Sequence, residues 1–216
     1  MTIKTLVQFS GGIESTVLLY QAMYLYGKEN TFVLAFDEGD LHREMVAIRE
    51  ILTKCGMRQQ TYFMRSPSWV DMEAPRDADF PDFGFVPGMK MLMNTLALSW
   101  AQVVGAQQVL IGNMRDNVYP DERQDWIDEY VATYNKIYEA DIAIVAPFQD
   151  MTKSEVLQLG QKLRVPWEDT VSCGNEKMVD GYNCGICDWC VKRRQAFKEA
   201  GIEDPSVYTL LHLEGQ

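Results

Sequence analysis

The chain has 216 residues, of which 47% are hydrophobic and 24% are charged, and its net charge at neutral pH is −11. No apolar stretch of the sequence approaches the roughly 20 residues that a membrane helix needs, which argues against a membrane partner. The acidic balance also argues against a broad nucleic-acid interface, because phosphate neutralisation needs clustered lysine and arginine. The amino-terminal sequence lacks the features of a signal peptide, so we expect a cytoplasmic protein with one well-cored α/β domain.

Short apolar, β-rich runs alternate with longer amphipathic stretches along the chain. Strands are predicted at residues 3–9, 31–36, 59–64, 107–112 and 142–147. Helices are predicted at residues 14–27, 42–55, 88–104, 121–139, 153–163 and 188–200. Continuous apolar strands that alternate with helices indicate a parallel sheet covered on both faces, and the ligands of such sheets bind at the carboxyl ends of the strands. Residues 65–87 contain four prolines and predict a long loop.

The stretch FSGGIES at residues 9–15 stands where the first strand passes into the first helix. Gly11 and Gly12 let the backbone approach a ligand without an intervening Cβ atom, and Ser10 and Ser15 add hydroxyl donors. Free amide groups at the start of a helix, together with the positive end of its dipole, form an anion site. The patterns GK[ST] and GxGxxG are both absent from this turn. It therefore predicts a phosphate site of another kind, the alternative being a plain strand-to-helix turn with a small-residue cap.

The turn SGG-x-[DE]-S resembles the pyrophosphate loop of the N-type ATP pyrophosphatases. Over nearly its whole length the chain also resembles the 7-cyano-7-deazaguanine synthase family. The matching stretches, in chain order, are FSGGIES (9–15), FDEGDLHREMVAIRE (36–50), FVPGMK (85–90), YPDER (119–123), APFQDMTKSEV (146–156) and SCGNEKMVDGYNCGICDWCVKRRQAF (172–197). The joint order and spacing of these stretches are more specific than any one of them.

The resemblance implies a Rossmann-like fold of the adenine nucleotide alpha hydrolase type and a reaction with ATP, which Mg²⁺ accompanies. By resemblance the nucleotide is bound by Phe9, Ser10, Gly11, Gly12, Ile13, Glu14, Ser15, Thr16, Phe36, Asp37 and Gly112. Lys153 matches a family lysine near the phosphates, where its ammonium would neutralise charge on the leaving pyrophosphate. An exposed lysine at the start of a helix is the alternative. Asp37 either binds ribose or metal, or only ends its strand.

The stretches FVPGMK and YPDER border the deazapurine pocket by resemblance. They assign the substrate to Phe85, Val86, Pro87, Gly88, Lys90, Tyr119, Pro120, Asp121 and Arg123. Tyr119 offers a ring for stacking, Asp121 accepts from the N–H edge of a deazapurine, and Arg123 holds an anion. The alternative is that Pro120 begins a helix whose first turn carries acids. Ser10, Lys153 and Asp121 are the predicted catalytic residues.

Four of the five cysteines lie close together near the carboxyl end, at Cys173, Cys184, Cys187 and Cys190. Reduced thiols at such spacing indicate metal ligands before disulfides, and four of them make a closed zinc site. The family resemblance also favours Zn²⁺, while an iron–sulfur cluster and unligated cysteines are the alternatives. Cys55 is expected to be a buried, inert thiol. We divide the chain into an ATP-binding domain at residues 1–165 and a four-cysteine segment with its helix at residues 166–216, packed on the same domain.

The sequence departs from the usual family pattern at four places, one of which is that the segment before YPD (GNMRDNV) is about two residues shorter. Glu14 stands where an aspartate is usual, EGDLH at residues 38–42 replaces YGQRH or YNQRH, and FVPGMK replaces FVPGRN. These departures leave the nucleophile open.

On the first interpretation, ATP adenylates 7-carboxy-7-deazaguanine, and ammonia then gives the amide and finally the nitrile. On the second, a divergent ligase of an antiphage defence system joins the deazaguanine to the amine of an acceptor protein. A tRNA-thiolating or lysidine-forming relative and an inactive pseudoenzyme are further alternatives. A homodimer is expected by resemblance alone.

Overall fold

Five short apolar runs form the strands at the centre of the molecule. The structure, a computed structural model, describes residues 3–37, 43–65, 88–115, 120–174 and 183–209. The strands are β1 (Thr5–Gln8), β2 (Thr31–Asp37), β3 (Thr61–Arg65), β4 (Gln108–Leu110) and β5 (Ala143–Val145). The helices are α1 (Ile13–Tyr26), α2 (Arg43–Cys55), α3 (Met89–Val104), α4 (Gln124–Tyr138), α5 (Lys153–Leu163) and α6 (Asp188–Ala200). Strand and helix alternate from β1 to α5, which is the pattern of repeated βα units.

All five strands are parallel, and their order in the sheet is β3-β2-β1-β4-β5. Val7 of β1 lies opposite Val33 of β2 on one side and opposite Leu110 of β4 on the other. The chain builds outward from β1 to β3 and then returns to β4, so the strand order reverses between β1 and β4. Such a reversal leaves a crevice at the carboxyl ends of the strands. The predicted parallel sheet with helices on both faces is confirmed.

Two hydrophobic clusters cover the two faces of the sheet. One contains Val17 of α1 and Ile48 of α2, together with Phe197 of α6. The other contains Leu98 of α3 and Ile127 of α4. The carboxyl-terminal helix thus shares the core that α1 forms with the sheet. Within the described ranges, no helix is both long and apolar enough to cross a bilayer.

A capping box fixes the start of α5 immediately before Lys153. Thr152 Oγ1 accepts from the backbone N of Glu155 at 3.3 Å, and the Glu155 carboxylate accepts from the backbone N of Thr152 at 2.8 Å. Further along the helix, a Cβ added to Gly160 would lie 2.2 Å from Cη2 of Trp167 and 2.6 Å from Cγ2 of Val17. The backbone of α5 therefore packs closely against α1.

The predicted start of the fourth helix at residue 121 is wrong. Residues Pro120–Glu122 form a separate 3-10 turn, and α4 begins only at Gln124, after Arg123 adopts an extended conformation with ψ 135°. The side chain of Asp121 accepts from the backbone N of Lys90 in α3 at 3.2 Å. This tertiary bond holds the turn against α3, apart from the helix that follows it.

Candidate functional site

The carboxyl ends of β1, β2 and β4 open into one cavity of about 510 Å³, which we call the switch-point cavity. Its walls include the turn after β1, the end of β2, the residues after β4 and the starts of α3 and α5. Residues 171–174, which we call the wall segment, and the first turns of α6 also line it. The cavity therefore lies where the strand order reverses, as the sheet topology leads one to expect.

Gly11 gives the turn after β1 its shape. Its φ of +75° lies in the left-handed region that favours glycine. A Cβ at this position would lie 3.2 Å from Cβ of Ala47 and 3.2 Å from the backbone N of Ile48, both in α2. Conformation and packing together explain why glycine occupies this position.

Residues 9–15, which we call the phosphate loop, present uncapped amides at the start of α1. The first helical hydrogen bond runs from the backbone N of Thr16 to the carbonyl of Gly12 at 3.0 Å, so the amides before it have no acceptor within the helix. No side chain of the described residues caps the helix at Gly12. Ser15 Oγ accepts from the backbone N of Ser10 at 3.2 Å and lies 3.2 Å from Ser10 Oγ. The loop thus combines free amides with two hydroxyls, a donor set for an anion.

An ion pair joins the phosphate loop to the start of α5. Nζ of Lys153 lies 2.8 Å from Oε1 of Glu14, and the two side chains are 18% and 20% exposed. This buried Oε1 makes no directed hydrogen bond within the described ranges, so the charge of Lys153 compensates it as an ion pair. Gly112, which follows β4, lies against the base of the same side chain, since a Cβ there would be 3.3 Å from Cβ of Glu14.

The other residues predicted to bind the nucleotide surround this loop. Phe9 and Phe36 line the switch-point cavity at the ends of β1 and β2. Ile13, within the loop, and Thr16, directly after it, are fully buried. Thr16 Oγ1 donates to the carbonyl of Gly12 at 2.6 Å. Asp37 is the last residue of β2. Of the predicted nucleotide set, Phe9, Ser10, Glu14, Ser15, Phe36 and Gly112 line the cavity.

A buried carboxylate faces the cavity from the turn before α4. Glu122 has a side chain only 7% exposed, and its Oε1 lies 3.6 Å from Nζ of Lys90. Burial raises the pKa of Glu122, while the nearby ammonium of Lys90 acts in the opposite direction. The sequence predicted Lys90 but not its partner, because the pairing depends on how α3 packs against the turn.

Asp121 lines a second cavity, of about 410 Å³, and does not line the switch-point cavity. Met91 of α3 and Trp126 and Tyr130 of α4 line the same space. One carboxylate oxygen of Asp121 is bonded to the backbone of Lys90, and the other is buried without a hydrogen bond in the described part of the chain.

A polar chain through the protein connects the two cavities. Gln8 Nε2 donates to Asn94 Oδ1 at 2.8 Å, and Asn94 Nδ2 donates to the hydroxyl of Tyr130 at 2.5 Å. Burial raises the pKa of Tyr130 to about 12. Gln8 and Asn94 line the switch-point cavity, whereas Tyr130 lines the second one. The sequence prediction missed this chain, although Asn94 is a polar residue in an otherwise apolar stretch and could have signalled it.

The four clustered cysteines come together at the start of α6. Their Sγ atoms all lie within 4.8 Å of one another, and two pairs, Cys184 with Cys190 and Cys173 with Cys187, are 3.9 Å apart. Ligands about 2.3 Å from one tetrahedral zinc ion would be about 3.8 Å apart, so the arrangement fits a single ion. The neighbouring Cys173 thiol, together with burial, raises the pKa of Cys190. Cys55 is buried, as predicted.

Arg193 anchors the wall segment and the residues just before it to α6, since its Nη1 donates to Ser172 Oγ at 3.4 Å. Its guanidinium is fully buried and donates to the carbonyl of Trp167 at 3.1 Å, to Thr170 Oγ1 at 2.9 Å and to Asp204 Oδ1 at 3.2 Å. The backbone N of Val171 in turn donates to the carbonyl of Gly11 at 3.1 Å. The sequence prediction missed this connection between the cysteine cluster and the phosphate loop.

The other predicted substrate residues either do not line the switch-point cavity or fall outside the described residues. Phe85, Val86, Pro87 and Tyr119 lie outside the described residues. Gly88 is the residue before α3, with φ +78°, and Pro120 lines the second cavity. Arg123 is exposed, lines neither cavity and pairs with Asp125.

Comparisons with known proteins agree with this geometry. The family described as queuosine biosynthesis protein QueC matches residues 4–201. A 7-cyano-7-deazaguanine synthase of Saccharophagus degradans is 34% identical over 95% of this chain and 97% of that protein. A protein of the same name from Trichodesmium erythraeum is 34% identical over 94% of this chain and 99% of that protein.

Among solved structures, a predicted subunit of tRNA methyltransferase from Methanocaldococcus jannaschii has a TM-score of 0.54 at 15% identity, covering 96% of this chain and 92% of that one. A likeness at that identity supports the fold alone. The family match and the two synthases, in contrast, extend along nearly the whole sequence. The chain therefore belongs to the QueC family.

Proposed function

We propose that this chain is an ATP-dependent synthase that converts 7-carboxy-7-deazaguanine and ammonia into 7-cyano-7-deazaguanine. The observation that carries the proposal is the 34% identity to a 7-cyano-7-deazaguanine synthase over 95% of the chain. A donor-rich loop at the switch point of the sheet supports it, because nucleotide phosphates bind at such helix starts.

The reaction consists of two activations. A carboxylate oxygen of the substrate attacks the α-phosphorus of ATP, and pyrophosphate leaves. Ammonia then attacks the acyl carbon, and AMP leaves with the carboxylate oxygen, which gives the amide. The amide oxygen then attacks the α-phosphorus of a second ATP with release of pyrophosphate, and loss of AMP and of the amide protons gives the nitrile.

The phosphate loop and Lys153 form the proposed catalytic site. The amides around Gly12 and the hydroxyls of Ser10 and Ser15 would bind the phosphates and orient them for the attack. The ammonium of Lys153 would stabilise negative charge as pyrophosphate departs. Because Lys153 is already held by Glu14 at 2.8 Å, an arriving phosphate would compete with that carboxylate.

Two metal ions belong to the proposal. Mg²⁺ would shield the ATP phosphates, and Glu14 is the acid of the phosphate loop that could contribute a ligand. Zn²⁺ would be held by Cys173, Cys184, Cys187 and Cys190 in a closed structural site, since sulfur separations of 3.9 Å fit ligands of one ion. An iron–sulfur cluster fits less well, because its cysteines bind separate iron atoms and so lie farther apart.

The deazapurine is the proposed organic substrate, and its recognition by Asp121 remains a proposal. The unpartnered oxygen of Asp121 could accept from an N–H group of the base, and Trp126 and Tyr130 offer aromatic surface beside it. The similar synthases favour ammonia as nucleophile over a protein amine, and no described feature supports an acceptor protein or a defence role. The homodimer, the division at residue 165 and a cytoplasmic location also stay predictions.

Isotopic labelling tests the proposed nucleophile. The protein is incubated with ATP, Mg²⁺, 7-carboxy-7-deazaguanine and ¹⁵N-labelled ammonium, and the products are followed by mass spectrometry. We expect AMP and a nitrile that carries the ¹⁵N label. AMP release without ¹⁵N in any deazaguanine product would contradict the proposal.

A further inference from the structure

Three lysines of the described residues line the switch-point cavity, and they differ in their partners. Lys153 pairs with Glu14 at 2.8 Å, and Lys90 pairs with Glu122 at 3.6 Å. Lys192 has no carboxylate partner among the described residues and lies instead over the ring of Trp189, with Nζ 5.1 Å from the ring centroid. A cation–π contact holds an ammonium without neutralising its charge, so Lys192 keeps its full attraction for an anion.

The position of Trp189 is fixed from two sides. Its own backbone belongs to the first turn of α6, between two residues of the cysteine cluster, Cys187 and Cys190. Its ring lies against Gly174, where an added Cβ would be 2.6 Å from Cδ1 of the indole. The ring can occupy this place only because residue 174 has no side chain.

The wall segment brings Lys192 and the phosphate loop to the same cavity. Val171, Ser172 and Gly174 all line the cavity together with Ser10. The backbone bond from Val171 to Gly11, at 3.1 Å, ties this segment to the phosphate loop. Lys192, the wall segment and the loop thus line one and the same cavity.

We propose that Lys192 binds the phosphates of the nucleotide and of the pyrophosphate product, and that Trp189 is its positioning residue. The inference rests on the proposed use of ATP. It adds a second lysine, beside Lys153, to the phosphate site, contributed by the helix that starts at the cysteine cluster. Because Lys192 does not have to leave a carboxylate, it can bind an incoming anion without breaking an ion pair.

Titration with inorganic pyrophosphate tests the proposal without requiring any organic substrate. Lys192→Met should weaken pyrophosphate binding, measured by calorimetry, by about tenfold or more, because a charge-assisted contact is lost. Lys192→Arg should restore most of the affinity. The matched control is Lys198→Met, an exposed lysine on the same helix that does not line the cavity, and it should bind as the unmodified protein does.

The role of Trp189 is tested by a second pair of variants. Trp189→Phe keeps an aromatic face and should retain most of the affinity, whereas Trp189→Ala should weaken pyrophosphate binding as Lys192→Met does. In steady-state assays the same variants should raise the KM for ATP more than the KM for the carboxylate substrate. Equal pyrophosphate affinity in Lys192→Met and Lys198→Met would overturn the inference.

A rise in the KM for the carboxylate alone would also overturn it, since Lys192 would then bind the other anion of the reaction. These outcomes are distinct from failure of the proposed function. In that case the unmodified protein itself would release no AMP, whatever the affinity of its variants for pyrophosphate.

Discussion

At the scale of single residues, two lysines of the site, Lys153 and Lys90, are each held in an ion pair with a glutamate. Glu14 is one methylene longer than the aspartate usual in the family, and it spans the gap to Lys153 at the start of α5. The capping box at Thr152 fixes where that helix begins and hence where Lys153 projects. The pair explains how a lysine is kept in the cavity before any phosphate arrives.

Removing the charge of Lys153 should slow adenylation. We expect Lys153→Met to lower kcat for AMP release by about 10²–10³-fold, the usual effect of removing one charge-stabilising donor. The matched control, Lys162→Met, removes an exposed lysine from the last turn of the same helix and should leave kcat unchanged. Equal rates in the two variants would show that Lys153 has no catalytic role.

The raised pKa of Glu122 gives a pH-dependent prediction. A carboxyl whose pKa is raised on folding binds more protons in the folded than in the unfolded state. Its contribution to the free energy of unfolding is therefore complete below the unfolded pKa and is lost as pH rises through the folded pKa. Glu122→Gln has no such loss. We therefore expect the variant to gain stability relative to the unmodified protein between pH 4 and pH 7. The difference in free energy of unfolding should rise by about 1.4 kcal/mol for each unit by which folding raises the pKa of Glu122. Urea denaturation at several pH values measures this, and a pH-independent difference would contradict it.

At the scale of elements, the sequence predicted the five strands and six α-helices of the described part of the chain, because short apolar, β-rich runs alternate with longer stretches along the sequence. It misplaced the start of α4, where the acids around Pro120 indicated a helix although the turn is held by a bond from Asp121 to α3. It also gave no role to Asn94, which lies between Gln8 and Tyr130 in a chain of hydrogen bonds. Such contacts join residues far apart in the chain, so local patterns cannot reveal them.

The close packing of α5 on α1 is testable at Gly160. In an isolated helix, alanine would be favoured over glycine by about 1 kcal/mol. Here the added Cβ would lie 2.2 Å from Trp167, so we expect Gly160→Ala to lower the free energy of unfolding by about 1–2 kcal/mol, an overpacking cost. Gln158→Ala, an exposed change on the same helix, should alter it by less than about 0.5 kcal/mol. A stabilised Gly160→Ala protein would refute the close approach.

At the scale of the whole molecule, the cysteine cluster and the switch-point cavity share one wall, since Cys173 of the cluster also lines the cavity. Arg193 ties residues 167–172 and Asp204 to α6, and Val171 ties them to the phosphate loop. The sequence predicted both the loop and the cluster, since each is a compact motif. Their connection could not be predicted, because it depends on a buried arginine whose partners lie more than ten positions away.

Loss of one cysteine should therefore affect both stability and metal content. We expect the unmodified protein to hold about one equivalent of zinc per chain, and we expect Cys184→Ser to lose it and its thermal midpoint to fall by several degrees. Cys55→Ala, which removes the cysteine outside the cluster, should retain the zinc. Elemental analysis of the purified proteins measures this. Iron in place of zinc, or unchanged zinc in Cys184→Ser, would contradict the assignment.

The origin of the oxygen atoms in AMP tests the central claim most directly. The protein is given ATP, Mg²⁺, ammonium and 7-carboxy-7-deazaguanine labelled with ¹⁸O in both carboxylate oxygens. If the substrate is adenylated first at the acid and then at the amide, each AMP released on the way to the nitrile carries one ¹⁸O atom. Unlabelled AMP, or ADP and orthophosphate in its place, would contradict the account.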